Sequence, residues 1–255
     1  MPVKIDIIIL SFAKNEALKN LTIQTIDTLL ASENPNEILF NVVVIESNKT
    51  LQPFQFENST TIYPKEDFGF NKFLNIGINA TNNNYLCLCN NDLIFHKGWA
   101  SELLNVSKSI NNELWVLSPF CKHSHRYFLE FKNPIEGYFG CFAGHCFFTN
   151  RKTLDTVGVL DEKINFWYAD MDFIELMKLH HIPHYLVPKA EVSHLVSQVT
   201  ESFSGFDKLK YTYYPSIYFK YKWEDKSILL YIKRTLYYWF KYMLLLLKNF
   251  GYDRG

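Results

Sequence analysis

Charge of one sign is missing from this chain: across 255 residues, 26 Lys and Arg face 26 Asp and Glu, for a formal net charge of zero. A nucleic-acid binder working through bulk electrostatics would be basic, so that class is excluded, although a local basic patch is not. No Cys-x-x-Cys occurs. The five cysteines (Cys87, Cys89, Cys121, Cys141 and Cys146) are odd in number and suggest neither a disulfide framework nor a zinc site. A reducing compartment suits them, with Cys87 and Cys89 on one face of a strand as packing residues. No run of 18 uncharged apolar residues exists, so no membrane-spanning helix is expected. Internal repeats and low-complexity linkers are absent too, and Met1 to Asp6 passes straight into a strand pattern without the features of a secretory leader. What the chain has instead is apolar mass, at 48% hydrophobic and 17% aromatic, enough for a large core in one sizeable domain or a domain plus an appendage.

The apolar residues are grouped in a repeating order. Ile5 to Leu10 is a continuous β-branched run, the pattern of a strand buried on both faces. A polar turn, Ser11 to Glu16, leads to helical spacing over Ala17 to Leu30, and Ile38 to Ile45 is a second buried strand. After a loop with Pro53 come a brief strand near Thr61 to Tyr63, a helix over Asn71 to Ala80, and a third long strand, Tyr85 to Cys89. Strand-helix alternation of this kind predicts a parallel sheet with helices on both faces. Further on, a helix is expected over Trp99 to Ile110, a strand over Leu114 to Ser118, and an irregular loop over 121–133 containing His123, His125 and Arg126. A helix is expected from Asp170 to His180, stopped by Pro183, then short strands at Tyr185 to Pro188 and Ala190 to His194.

Each of the three long strands ends in polar residues: Ser11, then Glu46, then Asn90-Asn91-Asp92. Parallel strands place all three ends on one edge, where open α/β sheets bind their ligands. A carboxylate and carboxamides at such a corner are hard oxygen ligands suited to Mg²⁺ or Mn²⁺. The same tripeptide is also a good turn.

Taken together, these corners resemble the GT-A glycosyltransferases, and specifically the large inverting family 2 of bacterial polysaccharide assembly. The resemblance covers roughly residues 3 to 220. The stretch Ile7 to Glu16 resembles the first strand that opens the nucleotide pocket, and Val42 to Glu46 the second strand, with Glu where Asp is commoner. Phe68 to Gly77 resembles the Asn-x-Gly segment, and Asn90-Asn91-Asp92 the Asp-x-Asp metal motif. Gly144 to Arg151 resembles the acceptor-side strand, Val157 to Glu162 the Gly-x-x-Asp-Glu segment, Tyr168 to Asp172 the acidic motif of the catalytic base, and Ala190 to His194 the late histidine that completes the metal site. One departure stands out: Ala169 occupies the first acidic position of the base motif.

The resemblance implies a GT-A fold, Rossmann-like, with a mostly parallel sheet, over residues 1–222. It implies a hexosyltransferase-type enzyme moving a sugar from a UDP- or dTDP-linked donor to a glycan or lipid-linked hydroxyl. Asp92 and His194 would hold Mn²⁺ or Mg²⁺. Asp170 would be the general base, with Asp172 the second candidate; the plainer reading of Asp170 is a first-turn acid that stabilises its helix. Ser11, Phe12, Glu16, Glu46, Asn90 and Asn91 would contact the nucleotide, Glu46 by accepting from a pyrimidine N–H. Lys72 and Asn75, three apart on one helix, would face the phosphates together, and His145 would contact acceptor or phosphate. For Glu46 a solvated strand end, for Lys72 a surface lysine, and for His194 a packed imidazole are the plainer alternatives.

Residues 223–255 differ in composition. Lys226, Lys233, Arg234, Lys241 and Lys248 fall within a stripe about 100° wide on a helix, with Leu, Tyr, Trp, Phe and Met over the rest. That is the layout of an interfacial helix, which predicts contact through 227–250 with the inner face of the cell membrane by a cytoplasmic, peripheral protein; a helix packed on the catalytic domain or a second subunit is the alternative. The rival functions are a nucleotidyl- or sugar-phosphate transferase, which would need more basic groups than Lys72 and Arg151 offer, and a non-catalytic membrane-associated binding module, which Ala169 would favour. No nucleic-acid partner is expected.

Overall fold

The computed structural model describes residues 1–49, 52–195 and 204–252. Strand β1 (Val3–Ser11) is followed by helix α1 (Glu16–Ala31), whose N-cap Asn15 accepts a hydrogen bond from the Leu18 N–H. Then come β2 (Ile38–Glu46), β3 (Thr60–Ile62), α2 (Phe70–Asn79), β4 (Tyr85–Asn90), β5 (Leu93–Phe95) and α3 (Trp99–Ser109). The second half adds β6 (Val116–Phe120), β7 (Ile135–Glu136), β8 (Cys146–Asn150), α4 (Arg151–Val157), α5 (Ala169–Leu179) and β9 (His184–His194). Two short helices, α6 (Gly205–Lys208) and α7 (Tyr214–Phe219), alternate with π-helical turns at Leu209–Tyr213 and Lys220–Glu224, and the long α8 (Ile228–Tyr252) closes the chain.

The sheet runs β3-β2-β1-β4-β8-β6-β9-β5, with β7 paired to β9. Its first four strands are parallel, as the strand-helix alternation predicts, while β8 is antiparallel to both β4 and β6, and β6 is parallel to β9. The unbroken apolar runs now have their reason. Ile5, Ile7 and Ile9, with Val42, Val44, Cys87 and Cys89, face the layer that includes Ile26 and Leu29 of α1 and Trp99 and Leu103 of α3. Ile8 and Leu10, with Val43, Ile45, Leu86 and Leu88, face the layer that includes Leu74 of α2 and Phe173 and Met177 of α5. Period-two alternation serves two cores, so the buried positions are apolar on both faces, with Asp6 an exception in β1, where Arg151, Asn41 and Asn83 bind its carboxylate. Gly77 of α2 sits so close to β1 that a Cβ there would lie 2.4 Å from Ile8 Cγ2, which seats this helix directly on the strand. Cys87 and Cys89 are buried packing residues.

Three local expectations shift. The strands foreseen at 185–188 and 190–194 are one, β9, in which Pro188 is accommodated by a register jump: Pro119 pairs with Val187, but Phe120 with Glu191. Helix α5 ends at Leu179, ahead of Pro183, through left-handed His181 at φ 53°. His125, expected in a polar loop, is buried: its Nδ1 accepts from the Cys121 N–H, and the lost solvation holds its pKa at about 4.

Helix α8 is two-sided. Tyr231, Tyr238 and Tyr242 pack against Tyr221, Tyr214 and Phe206 of the preceding helices. The opposite side leaves Leu229, Leu236, Phe240, Met243 and Leu247 more than half exposed. The basic stripe is divided between these surroundings: Arg234 pairs with Asp225, and Lys241 lies 4.9 Å from the Tyr213 ring and 4.8 Å from that of Tyr237, while Lys233 is exposed. The Lys248 side chain lies outside the described residues. Among the described residues, no helix is long and apolar enough to cross a membrane.

Candidate active site

The carboxyl ends of β1, β2 and β4 do share one edge, since Ser11 pairs with Glu46 and Leu10 with Asn90. A cavity of about 750 Å³ opens there. One end is lined by Ser11, Phe12, Lys14, Ser47, Asn90 and Asn91; the other is aromatic, with Phe68, Phe70, Phe166, Trp167 and Tyr211. Asp92, Gly144, His145, Asp170 and His194 also border it.

Sheet pairing brings Asp92 and His194 together across 102 positions of sequence. Strand β5 leaves the Asn-Asn-Asp corner and pairs with β9, so that Leu93 faces His194, and the Leu195 N–H donates to the Asp92 carbonyl at 2.9 Å. Asp92 Oδ1 is buried, accepts no hydrogen bond, and lies 3.1 Å from His194 Nε2. That separation, without hydrogen-bond alignment, is what two neighbouring ligands would show, because groups each about 2.1 Å from one cation at right angles lie about 3 Å apart. The carboxylate oxygen is a hard donor of the kind that Mn²⁺ or Mg²⁺ takes, and the imidazole nitrogen beside it favours Mn²⁺ of the two. Among the described residues no cluster of three or more His, Cys, Asp or Glu completes a metal site. His145 stacks on His194, rings 4.6 Å apart and 9° from parallel. Burial, then the proximity of His194, holds the His145 pKa down at about 3, so the ring is neutral, and its Nε2 is buried without a partner.

The base motif is divided by its surroundings. Asp170 is exposed at the cavity wall, and among the described residues its Oδ1 accepts from the adjacent Met171 N–H at 2.8 Å. Gly144 makes this wall possible, since a Cβ on it would meet Asp170 Cβ at 2.9 Å. Asp172, the second candidate base, is 1% exposed and does not border the large cavity. Its Oδ1 accepts from Lys222 Nζ at 2.8 Å and Trp223 Nε1 at 2.6 Å. Burial raises its pKa against the lowering effect of those two donors. A carboxylate so enclosed is an anchor.

Other expected contacts are placed elsewhere. Glu46 is 1% exposed and accepts from Ser11 Oγ at 2.6 Å, the Asn48 N–H at 2.7 Å and the Ala13 N–H at 3.1 Å. It shapes the turn after β1 and does not border the cavity. Asn75 clips α2 to the segment before α5, accepting from the Leu160 N–H and donating to the Leu160 carbonyl; Asn71 donates to the Asp161 carbonyl. Lys72 reaches back to the Asp67 carbonyl at 3.5 Å, so the pair does not face phosphates together. Glu16 is exposed in the first turn of α1 near Lys19. Arg151 is bound to buried Asp6 at 3.3 Å. Asn91 does border the cavity but is tied to α1, donating to Thr22 Oγ1 at 2.8 Å. Residues that sequence reasoning passed over are Lys14, which lies in the first polar turn and could have been found there, and Trp167, just ahead of the Tyr168 to Asp172 motif, which no sequence signal marked.

At the level of sequence, no family model matches this chain and no curated protein is similar to it. Among solved structures the fold is that of GT-A glycosyltransferases. It resembles GalNAc-T7, solved with UDP, GalNAc and Mn²⁺, at TM-score 0.63 and 12% identity, covering 90% of this chain and 53% of the other. It also resembles residues 1–349 of S. aureus TarS at TM-score 0.57 and 12% identity, covering 75% and 60%. The chain thus spans between half and two thirds of these relatives' lengths.

Proposed function

We propose that this protein is a divalent-metal-assisted, inverting glycosyltransferase that takes a sugar from a UDP- or dTDP-linked donor and transfers it to a glycan or lipid-linked hydroxyl. The observation that carries the reading is the placement of Asp92 Oδ1 and His194 Nε2, 3.1 Å apart, in the same cavity wall as Asp170. The GT-A fold it shares with GalNAc-T7, solved with UDP, GalNAc and Mn²⁺, adds support.

Asp92 and His194 would hold the cation, with the donor diphosphate supplying further oxygens. When bound, such an ion neutralises the charge of the leaving diphosphate as a Lewis acid and template. The protein's own residues do the rest. The main chain around Ser11 and Phe12, shaped by Glu46, borders the end where base and ribose fit. His145, neutral, keeps Nε2 available for a hydroxyl or phosphate oxygen. Asp170 accepts the proton of the attacking acceptor hydroxyl. Attack from the Asp170 side, opposite the departing diphosphate, inverts the anomeric configuration.

Helix α8 fits the acceptor half of this proposal. Each large apolar side chain left in water forgoes about 1.5–3 kcal/mol of burial, and α8 leaves a row of them outward. Lys233 at the edge of that row and Tyr237 and Trp239 beside it match an anionic lipid surface, where cations meet headgroups and aromatics sit at the boundary. In vesicle sedimentation, Leu236→Glu with Phe240→Glu should release the protein from anionic vesicles without lowering its melting temperature; retained binding would end the lipid claim.

The direct test of the function is a thermal-shift panel of nucleotides and sugar nucleotides, with Mn²⁺ and with EDTA. Stabilisation by UDP or dTDP species that requires the metal supports the proposal. No shift with any of them would leave the non-catalytic binding module as the better reading.

A further inference from the structure

The exposed carboxylate of Asp170 sits in a segment under unusual constraint. Tyr168, which caps α5, has φ 71°, a left-handed conformation that a bulky residue adopts only when its surroundings enforce it. The constraint comes from three sides. From α2, Asn71 and Asn75 grip residues 160–161, and the Phe70 N–H donates to the Asn165 carbonyl at 2.7 Å. From the turn before β8, Gly144 abuts Asp170 itself.

The third side comes from far along the chain. Lys222 Nζ bridges two carboxylates, Asp172 at 2.8 Å and Asp161 at 3.0 Å, one on each side of the 162–171 segment. Trp223 Nε1 donates to the same Asp172 oxygen, and Tyr218 Oη donates to Asp161 at 2.9 Å. Adjacent residues of an α-helix diverge by about 100°, yet Lys222 and Trp223 converge on one atom; they lie in the π-helical turn Lys220–Glu224, a wider turn of the kind found at functional sites. Two carboxylates held by one ammonium, one of them enclosed in the core, are a poor device for stability alone. As a device for fixing geometry they make sense: the bridge closes the loop that carries Tyr168 and Asp170.

We propose that Lys222 and Trp223 are positioning residues for Asp170, with Asp172 and Asp161 as their fixed points, so that the C-terminal helical segment forms part of the catalytic apparatus. This rests on the glycosyltransferase reading for what Asp170 does, but not for what the clamp holds. Loss of the clamp leaves the donor side of the cavity intact and lets the base drift; a misplacement of about 1 Å can cost about 100-fold in rate.

The test uses the full chain with Lys222→Met, Lys222→Arg, Trp223→Phe and, as comparator, Asp225→Asn, which breaks the neighbouring ion pair to Arg234 outside the clamp. Hydrogen exchange read by mass spectrometry should show amides of 163–172 exchanging about tenfold faster in Lys222→Met and Trp223→Phe. Lys222→Arg should restore most of the protection, and Asp225→Asn should leave it unchanged. Nucleotide release from the donor, with water or simple glycosides as acceptor, should fall about tenfold or more in kcat with donor KM unchanged. Unaltered exchange over 163–172, or lost protection with full kcat, overturns the proposal. Should the wild-type chain neither bind nor release any nucleotide, the function reading fails by itself, and the exchange data still decide whether the clamp holds the loop.

Discussion

The two walls of the cavity are built on opposite principles. On the β1–β2 side every polar group that marks the site in sequence is closed upon the protein. Glu46 accepts three hydrogen bonds, and Ser11 Oγ is shared between Glu46 and Thr22. On the β4–β9 side the bonds are more open: Asn91 is tied to α1, but among the described residues Asp92 Oδ1 accepts no hydrogen bond and meets His194 Nε2 at 3.1 Å, His145 Nε2 is buried without a hydrogen-bond partner, and Asp170 engages the next amide. An unpaired buried polar atom is costly. It persists where something else completes it. The difference is that one wall gives the pocket its form through the fold while the other keeps polar atoms available, which is where the proposal places the acting groups.

Substitutions can break that comparison. Asp170→Asn should reduce turnover most, by about 10²- to 10⁴-fold as for the loss of a general base, with metal-dependent nucleotide binding intact in the thermal-shift assay. Unchanged turnover would move the acting group off this wall. Asp92→Asn and His194→Ala should each weaken the metal-dependent shift from nucleotide, by about 1.4 kcal/mol of stabilisation for every tenfold loss of affinity. An undiminished shift in both would mean that the 3.1 Å pair is a plain contact.

Sequence and structure agree where one pattern has one physical outcome. Two-sided burial left continuous apolar runs, so the strands, their order and the shared polar edge were legible, and so was the Asn90-Asn91-Asp92 corner. What a polar side chain does at that edge was not. Glu46 and Asp170 are both carboxylates at the end of an element, and whether a carboxylate turns inward to hold a loop or outward into a cavity depends on neighbours such as Ala13 for the one and Gly144 for the other, far away in sequence. Asp172 shows the same limit, because its partners lie 50 and 51 positions further on. The tail divided likewise: composition indicated an amphipathic helix, but only the docking of Tyr231, Tyr238 and Tyr242 determines which side is free.

The closed wall can be examined in the opposite direction. Glu46→Gln keeps the shape but replaces a charged acceptor of three hydrogen bonds, at a cost of about 1–3 kcal/mol in stability, measured by denaturant unfolding. Nucleotide affinity of the folded protein should be unaltered, because the carboxylate does not border the cavity. If affinity falls while stability holds, Glu46 belongs with the acting groups and the division between the walls fails.

The last effect expected concerns pH, and it tests whether the interior behind the site is as closed as the β1–β2 wall. His184 is 1% exposed; one ring nitrogen meets the Gly137 carbonyl and the other Ser118 Oγ at 2.9 Å. Burial holds its pKa at about 4, against an ordinary value of 6.5. The unfolded chain therefore takes up a proton as pH falls below about 6.5 while the folded chain does not, so stability falls by about 1.4 kcal/mol per pH unit, until the folded form also titrates near pH 4. His125, held at about 4 by the same cause, should add a second proton to that slope. Equilibrium unfolding between pH 7 and 4.5 should show the decline, and His184→Gln should remove about one proton from the slope although it lowers stability at pH 7. An unchanged slope in that variant would mean that the His184 ring takes up its proton in the folded protein as readily as in the unfolded chain, and that this part of the interior is open to charge.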